Sequence, residues 1–221
     1  MSEKNKGNNH LRFTLPSFDV GASSRLAREI LDEAGVSAAL IGRFAVWTWI
    51  EDPSHHELTK DIDLAVRLED IQGIAEALRR RDDLVVSDLE IGGINVRAAG
   101  GVSVDFIHRQ SSFLGDLSPL FDEAITAARE SGSTVEIQGD DYPIVPLEHL
   151  VAMKIATAEE KDRKDATRLL AHAREEVDVG RVRELLASHG GPAALALFEQ
   201  VLRDVGHPGA HGQGRYKSPA R

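Results

Sequence analysis

The sequence predicts an α+β (α/β) fold, a mixed β-sheet core with helices on one face, followed by a C-terminal helical bundle. Three observations carry that expectation. Short apolar runs alternate with amphipathic ones between residues 37 and 107 in a strand, helix, strand, helix rhythm. Gly92-Gly93 separates two further strand-like stretches, and from Leu147 onward the chain reads as helical throughout.

Taken in order, a flexible N-terminal arm is expected over residues 1–20. Ser23 to Ala34 reads as a helix whose Leu26, Ile30 and Leu31 form the buried stripe. Gly35 stops it, because the residue past a helix end commonly takes a left-handed conformation that glycine adopts without steric cost. A strand over 37–42, a helix over 43–51, a loop over 52–59 and a strand over 61–67 follow. The spacing of Ile71, Ile74, Ala75 and Leu78 predicts a helix over 69–81. Strands at 84–90 and 94–99 flank the glycine pair, whose turn chemistry suits a hairpin, and a strand over 102–108 comes next. Ser118-Pro119 opens a helix to Glu130, Thr134 to Gln138 reads as a strand, and Pro143 and Pro146 bracket a short apolar passage. Helices are expected at 147–158, 161–176, 179–188 and 191–205, with leucines 169, 170, 185, 186 and 202 and Phe198 among their apolar supply. Beyond Gly206 the chain is glycine-rich and is expected to be disordered.

The chemistry concentrates in Asp61-Ile62-Asp63. Side chains two apart on a strand share one face, so Asp61 and Asp63 project together while Ile62, Leu64 and Val66 project the other way. Val102, Val104 and Phe106 alternate with Ser103 and Asp105, which lets Asp105 stand on the polar side of a neighbouring strand. Three convergent carboxylates repel one another unless cations occupy the site, and hard oxygen ligands suit Mg²⁺ or Mn²⁺ beside substrate phosphates. Phosphoryl or nucleotidyl transfer is the chemistry this favours. Upstream, Ala38 to Gly42 followed by the amphipathic Arg43 to Ile50 reads as strand, turn and helix. Glycine at that turn allows close backbone approach, and the N–H groups opening the helix can receive an anion such as a triphosphate.

An apolar strand ending in Gly42, then Thr59-Lys60-Asp61-Ile62-Asp63-Leu64, then a strand bearing Asp105, resembles the DNA polymerase β-type nucleotidyltransferase superfamily. Within it, the chain is similar to minimal nucleotidyltransferases that include abortive-infection (AbiEii-like) toxins of bacterial toxin–antitoxin pairs; the segments Pro143 to Lys154 and Lys161 to Asp165 share in that likeness. The resemblance implies a nucleotidyltransferase core over 21–141, a helical C-terminal region over 142–205 and a tail over 206–221. It implies that Asp61 and Asp63 bind two metal ions, Mg²⁺ or Mn²⁺, and that Asp105 completes the site or helps activate the attacking hydroxyl. It further implies nucleotide-binding roles for Gly42, Thr59, Lys60, Lys154 and Asp165, to which Arg43 is added as a candidate on its own chemistry. The expected partners are a nucleoside triphosphate, an acceptor hydroxyl on RNA, a protein or a small molecule, and an antitoxin.

Arg43 departs from the family pattern, which has a second small residue after the first glycine. Two readings stay open: a phosphate ligand acting through its planar fork, or a bulky group that leaves a catalytically inactive relative able only to bind a nucleotide or partner. Lys154 likewise has two readings, an aliphatic stem with its amine in water or a cation reaching phosphates. Asp162 and Asp165, three apart on a helix, share a face, and the likeness favours Asp165. His55 and His56 are adjacent without a third ligand at suitable spacing and read as exposed loop residues rather than a zinc site. His108, just past Asp105, has two readings, a substrate contact or a strand-end residue that caps or faces water, and the second is preferred.

Composition narrows the classes. The 221 residues are 42% hydrophobic, enough for one good core and a smaller helical annex. With no cysteine, a disulfide framework, a thiolate metal site and a thiol nucleophile are excluded. A formal charge of −10 argues against a broad electrostatic footprint on nucleic acid, leaving local basic groups such as Lys60, Arg67 and Lys161 to meet substrate. The polar first ten residues and the lack of a long apolar stretch lead to the expectation of a cytoplasmic protein without a membrane partner.

Overall fold

The computed structural model describes residues 11–12, 20–50, 52–56, 59, 61–110, 112 and 114–211. Most of the expected arm, Lys60 and the tail from 212 onward lie outside the described residues.

The fold is α+β. Its larger sheet has five strands in the order β2-β3-β6-β5-β4: β2 (Ala39–Leu40), β3 (Asp61–Ala65), β4 (Val85–Asp88), β5 (Gly93–Arg97) and β6 (Ser103–Ile107). A two-residue β1 (Leu11–Arg12) belongs to the arm and pairs parallel with β7 (Thr134–Ile137), so this part of the arm is tied to the body. β3 and β6 are parallel, and the other neighbours in the larger sheet are antiparallel, which makes it mixed as expected. Alternation decides its faces: Ile62, Leu64, Val96, Val104 and Phe106 are fully buried on one side. α1 (Val20–Ala34) and α3 (Ile71–Leu78) pack against each other, and α1 also packs on β3 and β6. In α1 the predicted stripe of Leu26, Ile30 and Leu31 is buried. Gly35, at φ 67°, ends that helix, and the Val36 N–H donates to the Leu31 carbonyl at 3.0 Å, closing the helix end in the expected way.

Several boundaries differ from the sequence reading. The strand expected over 37–42 shrinks to β2, because Gly42 turns left-handed and already opens α2 (Gly42–Trp49). After α4 (Ser118–Ser131), β7 is joined by an unforeseen partner, β8 (Asp140–Pro143), and the two form a second, three-stranded sheet with β1. The expected division between core and helical region at 141/142 therefore falls inside a strand. Tyr142 explains why β8 forms there: it is 1% exposed, and its hydroxyl donates to the Ser24 carbonyl of α1 at 2.6 Å.

The C-terminal helices are α5 (Leu147–Ala156), α6 (Glu160–His172), α7 (Val179–Leu185) and α8 (Gly191–Asp204), with a π turn over Leu186–Gly190 joining the last two. α6 stops short of the expected residue 176. The tail expected from 206 is ordered through its first residues: Pro208–His211 form a 3-10 turn, and His207 is buried with its ring nitrogen 3.2 Å from the Arg174 carbonyl. Among the described residues no helix is long and apolar enough to cross a membrane.

Candidate active site

The polar face of the larger sheet carries the acidic cluster. Parallel pairing sets Asp63 directly beside Asp105 and Asp61 beside Ser103, and the burial alternation in both strands turns all of these away from the apolar core. One carboxylate oxygen from each of Asp61, Asp63 and Asp105 lies within 4.8 Å of the others, and all three residues are half-buried. The convergence expected from the sequence is therefore present.

Two neighbours orient these carboxylates. The Thr59 hydroxyl donates to Asp61 Oδ1 at 2.5 Å. Asn95, opposite Asp105 on β5, donates through its amide nitrogen to Asp105 Oδ1 and to Ser103 Oγ, the latter at 3.0 Å. Burial, joined by repulsion from Asp61 and then Asp105, pushes the Asp63 carboxyl up to about 7, against the opposing pull of Lys154 and Lys161. Burial likewise raises Asp105, assisted by Asp61 and opposed by the Asn95 hydrogen bond and the Arg97 charge. A site that resists ionisation in this way is one where a divalent cation relieves both repulsion and desolvation. An all-oxygen donor set on a partly open face fits Mg²⁺ or Mn²⁺.

Gly42 abuts this cluster. The Ile41 N–H donates to the Asp63 carbonyl at 3.0 Å, and a Cβ built on Gly42 would meet Asp63 Oδ2 at 1.8 Å. Any larger residue there would displace the Asp63 side chain. The first N–H groups of α2, which lack partners within the helix, thus begin next to the carboxylates.

A cleft extends from the cluster toward α5 and α6, lined by Gly42, Asp63, Asp105, Arg109, Lys154 and Lys161, with Ile107, Phe121 and Met153 as apolar walls. Lys154 does not present its amine to bulk water. Its Nζ lies 2.6 Å from Asp162 Oδ1 and 3.1 Å from Asp165 Oδ2, in a nearly closed ion triad. Burial alone would lower the Lys154 pKa, but the two aspartates outweigh it and hold it above the ordinary lysine value. The same pair with Lys154, aided by a 2.7 Å bond from the Thr157 hydroxyl, holds Asp162 low despite its burial. Arg109, buried at the end of β6, pairs with Glu159, which also lies 3.5 Å from Lys161 Nζ.

Of the residues singled out in the sequence, Gly42, Asp63, Asp105 and Lys154 line this cleft, and Asp61 and Thr59 adjoin it through the cluster. Arg43 is half-buried on α2 outside the cleft lining, and Asp165 stands behind Lys154 while Asp162 faces the cleft. Lys60 lies outside the described residues. Lys161, one of the basic groups expected from the sequence to meet substrate, lines the cleft, whereas sequence reasoning missed Asn95 and Arg109 as site groups. Only Asn95 had a legible signal, because the alternation Ile94-Asn95-Val96 already put it on the polar face.

His55 is exposed as expected, whereas His108 and His56 depart from expectation. His108 is 6% exposed and does not face water; burial lowers its pKa, and its Nδ1 has no partner among the described residues. His56 is half-buried rather than exposed and stacks on Trp47 with centroids 5.3 Å apart. The His55 ring lies 4.1 Å from that of His172, so the 52–56 segment is docked on α2 and α6.

No family model and no curated protein matches the chain. Among solved structures, the chain is similar to the antibiotic-resistance factor ANT(2'')-Ia in solution, with 17% identity over 77% of this chain and 92% of that one and a TM-score of 0.48. It is similar to an antigenic nucleotidyltransferase-like protein from Paracoccidioides brasiliensis, with 17% identity, coverage of 84% and 90%, and a TM-score of 0.47. ANT(2")-Ia in complex with adenylyl-2"-tobramycin follows at 13% identity, coverage of 83% and 98%, and a TM-score of 0.41. All three TM-scores fall below 0.5, so the functional reading stands on side-chain geometry.

Proposed function

We propose that the chain is a divalent-metal-dependent nucleotidyltransferase that moves a nucleoside monophosphate from a nucleoside triphosphate to an acceptor hydroxyl. The observation that carries this is the meeting of Asp61, Asp63 and Asp105 within 4.8 Å, beside a helix start whose glycine lies against Asp63 so closely that a side chain there would displace it. Asp61, Asp63 and Asp105 would hold Mg²⁺ or Mn²⁺, which when bound supplies charge stabilisation to the attacking and leaving oxygens. The first N–H groups of α2 receive the triphosphate. Lys154 and Lys161 add positive charge on the cleft side, and the ion triad with Asp162 and Asp165 holds Lys154 in position. Asp105, which stands beside Asp63 in the cluster and lines the cleft, is placed to take the acceptor proton.

The experiment is incubation of purified protein with each labelled triphosphate, Mg²⁺ or Mn²⁺, and RNA, protein or small-molecule acceptors, beside an Asp61→Ala/Asp63→Ala control. Label transfer that disappears in the control supports the proposal. Metal-dependent nucleotide binding without transfer would instead support the inactive relative that Arg43 raised. The motif likeness to minimal nucleotidyltransferase toxins extends the proposal to an antitoxin partner. Growth arrest on expressing the wild-type chain, absent for Asp63→Ala, tests that extension.

A further inference from the structure

The polar sheet face does not end at the aspartates. Register carries it sideways across two more strands: Asp63, Asp105, Asn95 and Ser87 form one row, and Asp61, Ser103, Arg97 and Val85 form the next. Residues directly opposite one another in adjacent strands share a face. Asn95 is buried, but Arg97 and Ser87 are exposed, and Val85 is 68% exposed, more than any other large hydrophobic among the described residues. An edge strand is ordinarily blunted by charge or proline, and leaving a valine in water forgoes the stabilisation its burial would bring. Arg97 has no ion-pair partner among the described residues, yet it is a diagonal neighbour of Asp105, and its charge is felt there.

We propose that Arg97 is a specificity-determining residue that holds the acceptor, by a phosphate lying a few ångströms from the attacking hydroxyl, on the exposed shelf formed by Arg97 and β4, with Val85 as the apolar floor for the acceptor's ring. This rests on the nucleotidyl-transfer reading. Two facts select a phosphate-bearing acceptor. A guanidinium fork matches a phosphate's paired oxygens, and on a chain of charge −10 an anionic acceptor needs a local cation at the point of attack. The position on the sheet also fits. Arg97 pairs with Ser103 at the start of β6, whereas Arg109 follows the end of that strand, so Asp105 lies between the shelf and the cleft with Lys154 and Lys161. Displacement at phosphorus needs attacking and leaving oxygens roughly in line. The acceptor oxygen bonds to the α-phosphorus, the bond from that phosphorus to the oxygen bridging to the β-phosphate breaks, pyrophosphate leaves with the electron pair, and the hydroxyl proton passes to the Asp105 carboxylate.

The test compares wild type, Arg97→Gln and Arg97→Lys as full chains, with labelled triphosphate and Mn²⁺. The acceptors are a 3′-hydroxyl oligoribonucleotide, its DNA counterpart, adenosine monophosphate and adenosine. Wild type should prefer the phosphorylated acceptors over adenosine. Arg97→Gln should raise their KM about tenfold, the scale of one charge-assisted contact, with kcat unchanged, and Arg97→Lys should recover part of the loss. Fluorescence anisotropy with a 5′-fluorescein oligoribonucleotide should show the salt slope falling by about 0.7 in Arg97→Gln, one phosphate contact on a single strand. Whether the oligonucleotide or the free mononucleotide has the lower KM identifies the source of the phosphate. Retained turnover with unchanged acceptor KM, or equal use of adenosine, overturns this inference alone. Absence of metal-dependent triphosphate binding in wild type overturns the nucleotidyl-transfer reading and this inference with it.

Discussion

Gly42 and Asp63 are packed so closely that a single added carbon on residue 42 would lie 1.8 Å from Asp63 Oδ2. The backbone at Gly42 is also left-handed, at φ 65°, where a side chain is strained whatever the space. One residue therefore joins the helix that opens toward the cleft to the carboxylate at its floor.

Gly42→Ala should lose transfer activity while the fold survives. Left-handed strain costs on the order of 1–3 kcal/mol, and the methyl group must also push Asp63 out of line. Thermal melting should show a fall of several degrees, and the labelled-triphosphate assay should show turnover below a hundredth of wild type. A Gly42→Ala protein with normal turnover would remove Asp63 from the proposed machinery.

Stability should depend on pH through Asp63. Its carboxyl titrates near 7 in the folded chain and at 3.8 in its ordinary state. Between those values the folded state binds the extra proton, so stability falls as pH rises through the window and stays low above about 7. In EDTA, Asp63→Asn should melt higher than wild type at pH 8, and the two should converge near pH 4. Adding Mg²⁺ should raise the wild-type melting temperature at pH 8 and do little for the variant.

Lys154→Met should be more damaging than Asp162→Asn. Removing the lysine leaves two buried carboxylates facing each other without their central counter-charge, only Arg168 remaining 3.6 Å from Asp165, and breaking a buried pair in this way costs about 3–5 kcal/mol. Asp162→Asn keeps one ion pair and a hydrogen-bonding group of the same shape. Urea denaturation of both variants checks the order, and equal midpoints would mean that the triad contributes little to the fold.

Asn95→Leu should lower kcat rather than raise the KM for triphosphate. The substitution removes the donor that orients Asp105 and leaves the Lys154 side of the cleft untouched. A drop of about tenfold or more is the scale of a mispositioned proton acceptor. Steady-state kinetics separates this from a change in KM alone, which would count against an orienting role.

Much of the sheet and the acidic cluster was legible because both follow from local alternation. Asp61, Asp63 and Asp105 had to stand on polar faces if Ile62, Leu64, Val104 and Phe106 were to be buried. The stripe of α1 and its stop at Gly35 were equally local. β8 was not legible: Asp140-Asp141-Tyr142-Pro143 has little strand character, and it pairs only because Tyr142 finds a buried carbonyl on α1 more than a hundred residues away. The ordering of residues 207–211 depends in the same way on a distant acceptor, the Arg174 carbonyl.

The sequence by itself determined which side chains share a face, since the two-residue period of a strand needs no knowledge of its neighbours. Only the tertiary structure decided which strands adjoin and in what register. That register set Asp63 against Asp105, brought Asn95 into the row and Arg97 into the next, and aimed Lys154 at two aspartates instead of water. Such pairings come from long-range packing of the apolar face, and the charged face inherits whatever alignment the core imposes.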